Sequence, residues 1–171
     1  ARVMSKANNS AAGFTLIELV VVITILAILA AFALPRFAEL SEQAHRASIN
    51  GTAGALSGGI ALVKAQWVAN GTTTADPAVE GFGGSNVAVN DDGWATSTNT
   101  NTGAPNANRC EQVWNGVLQS NAPSLSQTSG ADVDYIVTNA GSVCTFTYQL
   151  DGQNSTIEYD AANGEVTTTI N

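Results

Sequence analysis

Glu18 is the side chain with the clearest chemical task, because its carboxylate interrupts an apolar run that extends to Leu34. An ionised side chain at bilayer depth costs about 2.5–3.5 kcal/mol, so its presence there indicates a function. If Phe14 becomes the amino terminus, its ammonium lies one helical turn before Glu18, and opposite charges at i,i+4 neutralise each other. Phe14 and Glu18 are therefore the candidate pair, and the alternative is a single-pass anchor with an incidental Glu.

The other residues capable of chemistry are few and scattered. His45 is the only histidine and lies in a polar helical stretch with no cysteine nearby, which favours a partly exposed helix residue over a metal ligand or a catalytic base. Asp91 and Asp92 precede Gly93 in a predicted turn, but the twelve-residue EF-hand pattern is missing. The sequence has no nucleophilic triad, phosphate-binding loop or spaced set of metal ligands. It therefore predicts no catalytic residues, no metal, no cofactor and a protein that is not an enzyme.

The two cysteines, Cys110 and Cys144, predict one disulfide, since an even count in an exported protein indicates pairing.

The charges are distributed unevenly. Residues 14–64 carry three acids and three bases, whereas residues 65–171 carry eleven acids against Arg109 alone. No basic cluster is available to meet phosphate, so the sequence predicts no binding of nucleic acid.

The N-terminal segment has the order of a processed membrane anchor. Residues 1–13 form a polar leader, for which Met4 is the expected start, and the apolar run begins directly after Gly13. An ordinary secretory signal is cleaved after its apolar run, whereas here the expected cleavage point, between Gly13 and Phe14, precedes it. Phe14–Leu34 comprises 21 residues, about 31 Å of helix, which matches a bilayer core of about 30 Å. Pro35 follows and is expected to kink the helix.

Helical spacing continues beyond Pro35. Phe37, Leu40, Ala44 and Ala47 recur at intervals of three, four and three residues, and Leu56, Ile60, Val63 and Trp67 at intervals of four, three and four. We therefore expect one helix from about Phe14 to Ala69. The glycine-rich segment 50–59 weakens helix propensity and must be held by packing, which we expect to be a close approach to the sheet. Asn70-Gly71 is the expected end of the helix.

The remainder predicts a head built on a sheet. Residues 71–109 are rich in Gly, Thr and Asn and are interpreted as a long connecting region rather than a packed core, with a small strand at 87–89. A short helix is expected at 110–119. Strands rich in β-branched and aromatic residues, separated by turn signals, are expected at 134–138, 143–149, 155–159 and 165–170.

The predicted fold class is α+β, a long bent N-terminal helix packed on a four-stranded antiparallel sheet with one disulfide. The predicted domains are a leader (1–13), a transmembrane or filament-core helix (14–35), the amphipathic half of the same helix (36–70) and a globular head (71–171).

Residues 13–35, GFTLIELVVVITILAILAAFALP, resemble the signal of the type IV pilin family. The resemblance implies a prepilin peptidase that cuts after Gly13 and methylates Phe14. It also implies that Glu18 meets the terminal amine of a neighbouring subunit in a homo-oligomeric helical filament, and that 27–34 loses helical order there. The implied route runs from the inner membrane, through its assembly platform, to an extracellular pilus.

A second resemblance covers most of the rest of the chain. The segments concerned are ALSGGIALVKAQWVANG, NDDGWATST, CEQVWNGVLQ and CTFTYQLDGQNSTIEYDAANGEV. They resemble the major pilins of mannose-sensitive haemagglutinin (MSHA) pili, which implies filaments that mediate attachment through a surface or glycan ligand. Two alternatives stay open: a type II secretion pseudopilin, whose head usually carries a calcium-binding C-terminal loop, and a periplasmic binding module tethered by an uncleaved anchor.

Overall fold

A computed structural model describes residues 13–130 and 132–171. The predicted leader lies outside the described residues except for Gly13. The elements are α1 (Leu16–Ala69), β1 (Ala88–Val89), β2 (Ala95–Ser97), α2 (Ala107–Leu118), β3 (Leu125–Ser126), β4 (Tyr135–Ala140), β5 (Val143–Tyr148), β6 (Thr156–Asp160) and β7 (Glu165–Thr169), with a 3₁₀ turn at Gln119–Asn121. The α+β class is confirmed. The chain divides into two compact units, with the boundary in the sequence between Ser41 and Glu42.

The first unit contains the N-terminal part of α1. Pro35 lies inside α1, and residues 27–34 are helical in this structure. The kink at Pro35 and the unwinding of 27–34 in a filament therefore stay predictions.

The second unit has a core built on one face of α1. The helix residues buried in it are Ile49, Ala53, Leu56, Ile60, Val63 and Trp67. The predicted apolar spacing from Leu56 to Trp67 is therefore confirmed and extends about two turns further toward the N-terminus, whereas Phe37, Leu40, Ala44 and Ala47 are exposed. The helix ends in a Schellman motif, because the Gly71 N–H donates to Val68 O (3.0 Å) and the Thr72 N–H donates to Trp67 O (3.4 Å). Gly71 has the positive φ, 74°, that this ending requires.

The prediction that the glycine-rich segment 50–59 closely approaches the sheet is wrong. A Cβ added at Gly51, Gly54 or Gly58 would meet nothing within 4 Å, whereas one at Gly59 would lie 2.3 Å from Val117 Cγ1. The close approach is therefore between α1 and α2, at one glycine.

The sheet has five strands in the order β3-β4-β5-β6-β7. The four predicted strands form the antiparallel meander β4 to β7, paired without interruption. The fifth strand, β3, pairs in parallel with β4 over two residues, and the sequence analysis missed it because so short a segment has no periodicity. The core face of the sheet carries Tyr135, Phe146 and Ile157, which are fully buried or nearly so.

Residues 71–109 were wrongly expected to lie outside the core. Val79, Val87 and Ala95 in this stretch are fully buried. Its polar side chains bond its own backbone: the Thr96 and Ser97 hydroxyls both donate to Asn101 O at 2.8 Å. Composition could not reveal this role, because the same Thr, Ser and Asn residues also favour solvated loops.

The predicted disulfide between Cys110 and Cys144 is present and joins α2 to β5, with the two Cα atoms 5.5 Å apart. Trp114 anchors the same helix. Its ring lies 4.4 Å from that of Phe146 and 4.9 Å from that of Tyr135, and its indole N–H donates to Pro123 O at 3.0 Å. The disulfide and the aromatic cluster together fix α2 on the sheet.

Candidate assembly site

The candidate site lies at the start of α1. Gly13, Phe14 and Thr15 are not helical, and the helix begins at Leu16. Thr15 takes the N-cap position: its Oγ1 accepts from the Glu18 N–H (3.3 Å), while its own N–H donates to Glu18 Oε2 (2.8 Å). This reciprocal pair is a capping box, which satisfies backbone donors that a helix start otherwise leaves open.

The Glu18 carboxylate retains capacity for a further partner. The Thr15 hydroxyl also donates to Oε2, at 2.9 Å, so both bonds that Thr15 gives to the carboxylate reach the same oxygen. A carboxylate accepts about four hydrogen bonds over its two oxygens. Oε1 can therefore accept from an ammonium without disturbing the cap. Phe14, the predicted source of that ammonium, is 89% exposed.

The capping box adds a residue that the sequence analysis missed. Thr15-Leu16-Ile17-Glu18 fits the pattern of Ser or Thr followed three residues later by Glu before an apolar run. The sequence therefore carries a signal for the cap in addition to the charge that predicts a partner for the terminal amine. Thr15 shows that the carboxylate also has a local structural role.

The surface that follows the cap is apolar and uncovered. The large apolar side chains from Leu16 to Leu34 are 45–79% exposed. Within the described residues, α1 is the single helix that is long and apolar enough to cross a membrane, judged by length and composition. Thr24, the other polar residue of this stretch, donates its hydroxyl to Val20 O at 2.7 Å. The polar groups are therefore bonded within the helix, and the apolar surface is left for lipid or another protein.

The remaining candidate residues lie in the second unit, His45 on α1 and Asp91 in the head. His45 is half-buried, as expected for a helix residue, and its Nδ1 lies 2.9 Å from the Tyr148 hydroxyl. Asp91 accepts from the Ala75 N–H, at 2.9 Å, in the predicted turn before Trp94. Across the described ranges, 13–130 and 132–171, no group of three or more His, Cys, Asp or Glu side chains could hold a metal ion.

Tyr135 and Tyr159 are buried in the head. The Tyr159 hydroxyl donates to Ala95 O at 2.7 Å, and burial raises its pKa far above the usual value. Burial also raises the pKa of Tyr135 to about 12. Both hydroxyls therefore stay neutral to a higher pH than that of an exposed tyrosine, and the two side chains contribute packing rather than charge.

A long N-terminal helix packed on a largely antiparallel sheet, with one disulfide and an exposed apolar start, defines the type IV pilin-like fold. Comparison with known proteins agrees. The family model described as the prokaryotic N-terminal methylation motif matches residues 8–34. The chain is 40% identical over 97 residues to the type IV narrow pilus major component PilA5 of Thermus thermophilus, over 57% of this chain and 74% of that protein. No solved structure matches the chain significantly. The chain belongs to the type IV pilin family.

Proposed function

We propose that this chain is the major structural subunit of a type IV pilus of the MSHA-like kind, whose surface filaments mediate attachment. The observation that carries the proposal is at the start of α1. There the Glu18 carboxylate takes part in the helix cap, at the N-terminal end of an apolar helix whose side chains are exposed. The relative in Thermus thermophilus is itself a major pilus component, which supports the same role here. The resemblance of the segments beyond residue 54 to MSHA major pilins supports the finer assignment.

Processing is the first step of the proposal. A prepilin peptidase cuts after Gly13 and methylates Phe14, while the apolar helix holds the protein in the inner membrane. The cap bonds join Thr15 to Glu18, so removal of residues 1–13 leaves them in place. The helix therefore keeps the same start before and after cleavage.

Assembly is the second step. The assembly platform extracts the subunit, and the apolar surface of α1 passes from lipid to neighbouring helices. The ammonium of Phe14 then meets Glu18 of an adjacent subunit, and their attraction in a low-dielectric setting selects the axial register. Pro35 gives α1 a point at which to bend. The acidic heads form the outer surface of the filament and meet the attachment ligand.

The protein recovered from filaments sheared off whole cells tests processing and assembly together. Intact mass and an N-terminal read are expected to show a chain that starts at Phe14 and carries one added methyl group. Mature protein confined to membranes and missing from the sheared fraction would contradict the pilus and favour the pseudopilin. An intact leader would favour the tethered binding module.

A pair of variants separates the two roles of Glu18. Glu18→Gln keeps the cap, because Gln serves at this position of a capping box, but removes the charge. Thr15→Val removes the cap, which costs about 0.5–2 kcal/mol, but keeps the charge. We expect Glu18→Gln, like Glu18→Ala, to leave processed protein in the membrane with few filaments, and Thr15→Val to retain them. Abundant filaments from Glu18→Gln would refute the register role.

A further inference from the structure

The two edges of the sheet differ. One edge is the two-residue strand β3, and the other is the five-residue strand β7. All five residues of β7 pair with β6. In the described part of the chain, no strand pairs with the opposite side of β7. That side therefore presents a row of backbone N–H and C=O groups.

β7 has few of the features that usually protect a sheet edge. Natural edges carry charged residues (Lys above all), Pro or a bulge, or are very short, and Glu165 is the one charged residue of β7. The sequence of β7 is Glu-Val-Thr-Thr-Thr, its register with β6 is continuous, and Thr167, Thr168 and Thr169 are exposed. Threonine and valine also favour extended backbone. An edge of this composition is suited to accept another strand.

Only one face of β7 packs against the core, so the open edge of this strand stays accessible. Val166 lies opposite Tyr159 in the ladder and packs against the core. Glu165 lies opposite Asp160 and Thr167 opposite Glu158, so these side chains share the outer face. Adding a strand therefore does not require the core to open.

We propose that β7 pairs antiparallel with β7 of a second copy of this chain, centred on Thr167. This register places Glu165 opposite the neutral Thr169 of the second copy, with Thr167 facing its own equivalent. Cross-strand threonines stabilise each other by about 0.2–1 kcal/mol. The two Glu165 residues then lie four positions apart along the strand, about 14 Å. Parallel pairing in register would instead place them side by side, so charge selects the antiparallel arrangement.

Symmetry determines which copies can meet. An antiparallel pair of identical strands has a two-fold axis, whereas subunits that follow one another along a filament are related by heterologous contacts. If the filament proposal holds, the β7 contact joins heads from two filaments and favours lateral bundling. The pairing itself does not depend on filament formation.

The net charge of the head opposes the contact. Glu158 and Asp160 lie beside Glu165 on the outer face around a small surface pocket. The Debye length falls from about 30 Å at 0.01 M salt to about 8 Å at 0.15 M. Pairing is therefore expected to strengthen as salt rises over this range.

Oxidative cross-linking of the detergent-solubilised full chain tests the register. The native cysteines are bonded to each other, so Thr167→Cys adds one free thiol. Directly opposite residues have Cα atoms about 4.5–5.5 Å apart, within the range of a disulfide. The matched control is Thr168→Cys, whose thiols would lie about 8 Å apart. We expect Thr167→Cys to form dimers at least tenfold faster, and equal rates would overturn the proposal.

A charge variant tests the same contact without cysteine. Thr167→Glu places two carboxylates face to face, and the control Thr73→Glu adds the same charge in an exposed loop. Sedimentation at 0.15 M salt is expected to show a dimer for wild type and for the control, and a monomer for Thr167→Glu. A wild type that is monomeric at every salt concentration, or a dimer that Thr167→Glu does not weaken, would refute the pairing. These results do not bear on the filament proposal, because they require no assembled filament.

Discussion

Gly58 and Gly59 are adjacent in α1, yet replacement by alanine should change stability in opposite directions. In a helix interior, alanine is favoured over glycine by about 0.8–1.0 kcal/mol. The new methyl at position 58 meets nothing within 4 Å. Gly58→Ala should therefore raise the free energy of unfolding of the solubilised subunit by about 1 kcal/mol.

Gly59→Ala gains the same helix propensity, but its new methyl group would collide with α2. Its Cβ would lie 2.3 Å from Val117 Cγ1 and 3.4 Å from the Val117 carbonyl oxygen. Val117 is only 6% exposed, and a β-branched side chain on a helix has one strongly preferred rotamer. Forced overpacking costs about 1–3 kcal/mol. Because the propensity gain cancels between the two variants, Gly59→Ala should be less stable than Gly58→Ala by that amount.

Denaturant unfolding of the full chain in detergent, followed by tryptophan fluorescence, measures this difference. All three tryptophans lie in the second unit, so the signal reports the unfolding of that unit. Val117→Ala removes the clashing methyl group. In a Val117→Ala background, the free energies of unfolding of Gly59→Ala and Gly58→Ala should therefore differ by less than in the wild-type background. Equal stabilisation by the two single variants would show that α1 and α2 do not approach as described.

Three further changes test other parts of the fold. Replacing Cys110 and Cys144 by serine opens a loop with a sequence separation of 34 and should lower the free energy of unfolding by about 4 kcal/mol, measured by denaturant unfolding. Burial raises the pKa of Tyr135 from 10.0 to about 12, so the folded state keeps the proton longer and stability should fall between these pH values; unfolding curves across this range should be flatter for Tyr135→Phe. Gly164 has φ 77°, and a Cβ there would lie 2.2 Å from the Trp94 ring; Gly164→Ala should lower the melting temperature, whereas an unchanged value would refute the contact.

The sequence alone determined the features that depend on local pattern. The run from Phe14 to Leu34 predicts a helix of membrane length because few polar residues interrupt it, and the core-facing residues of α1 between Leu56 and Trp67 follow from helical spacing. The strands β4 to β7 follow from β-branched runs and turn residues that lie next to each other in the chain. The disulfide followed from counting, since two cysteines allow one pair. The Thr15–Glu18 cap belongs to this class too, although it was overlooked.

Only the tertiary structure decided what residues 71–109 do. Their burial depends on partners far along the chain: the Tyr159 hydroxyl reaches Ala95 O, and the Asn90 side chain reaches Ala161 O, over separations of 64 and 71 residues. Composition cannot report such contacts, because a threonine or asparagine in a solvated loop looks the same as one that bonds a buried backbone. The same limit applies to Gly59. It lies in a glycine-rich segment, so the sequence does not distinguish it from the other glycines of that segment. Its role comes from Val117 on another helix, and only folding brings the two together.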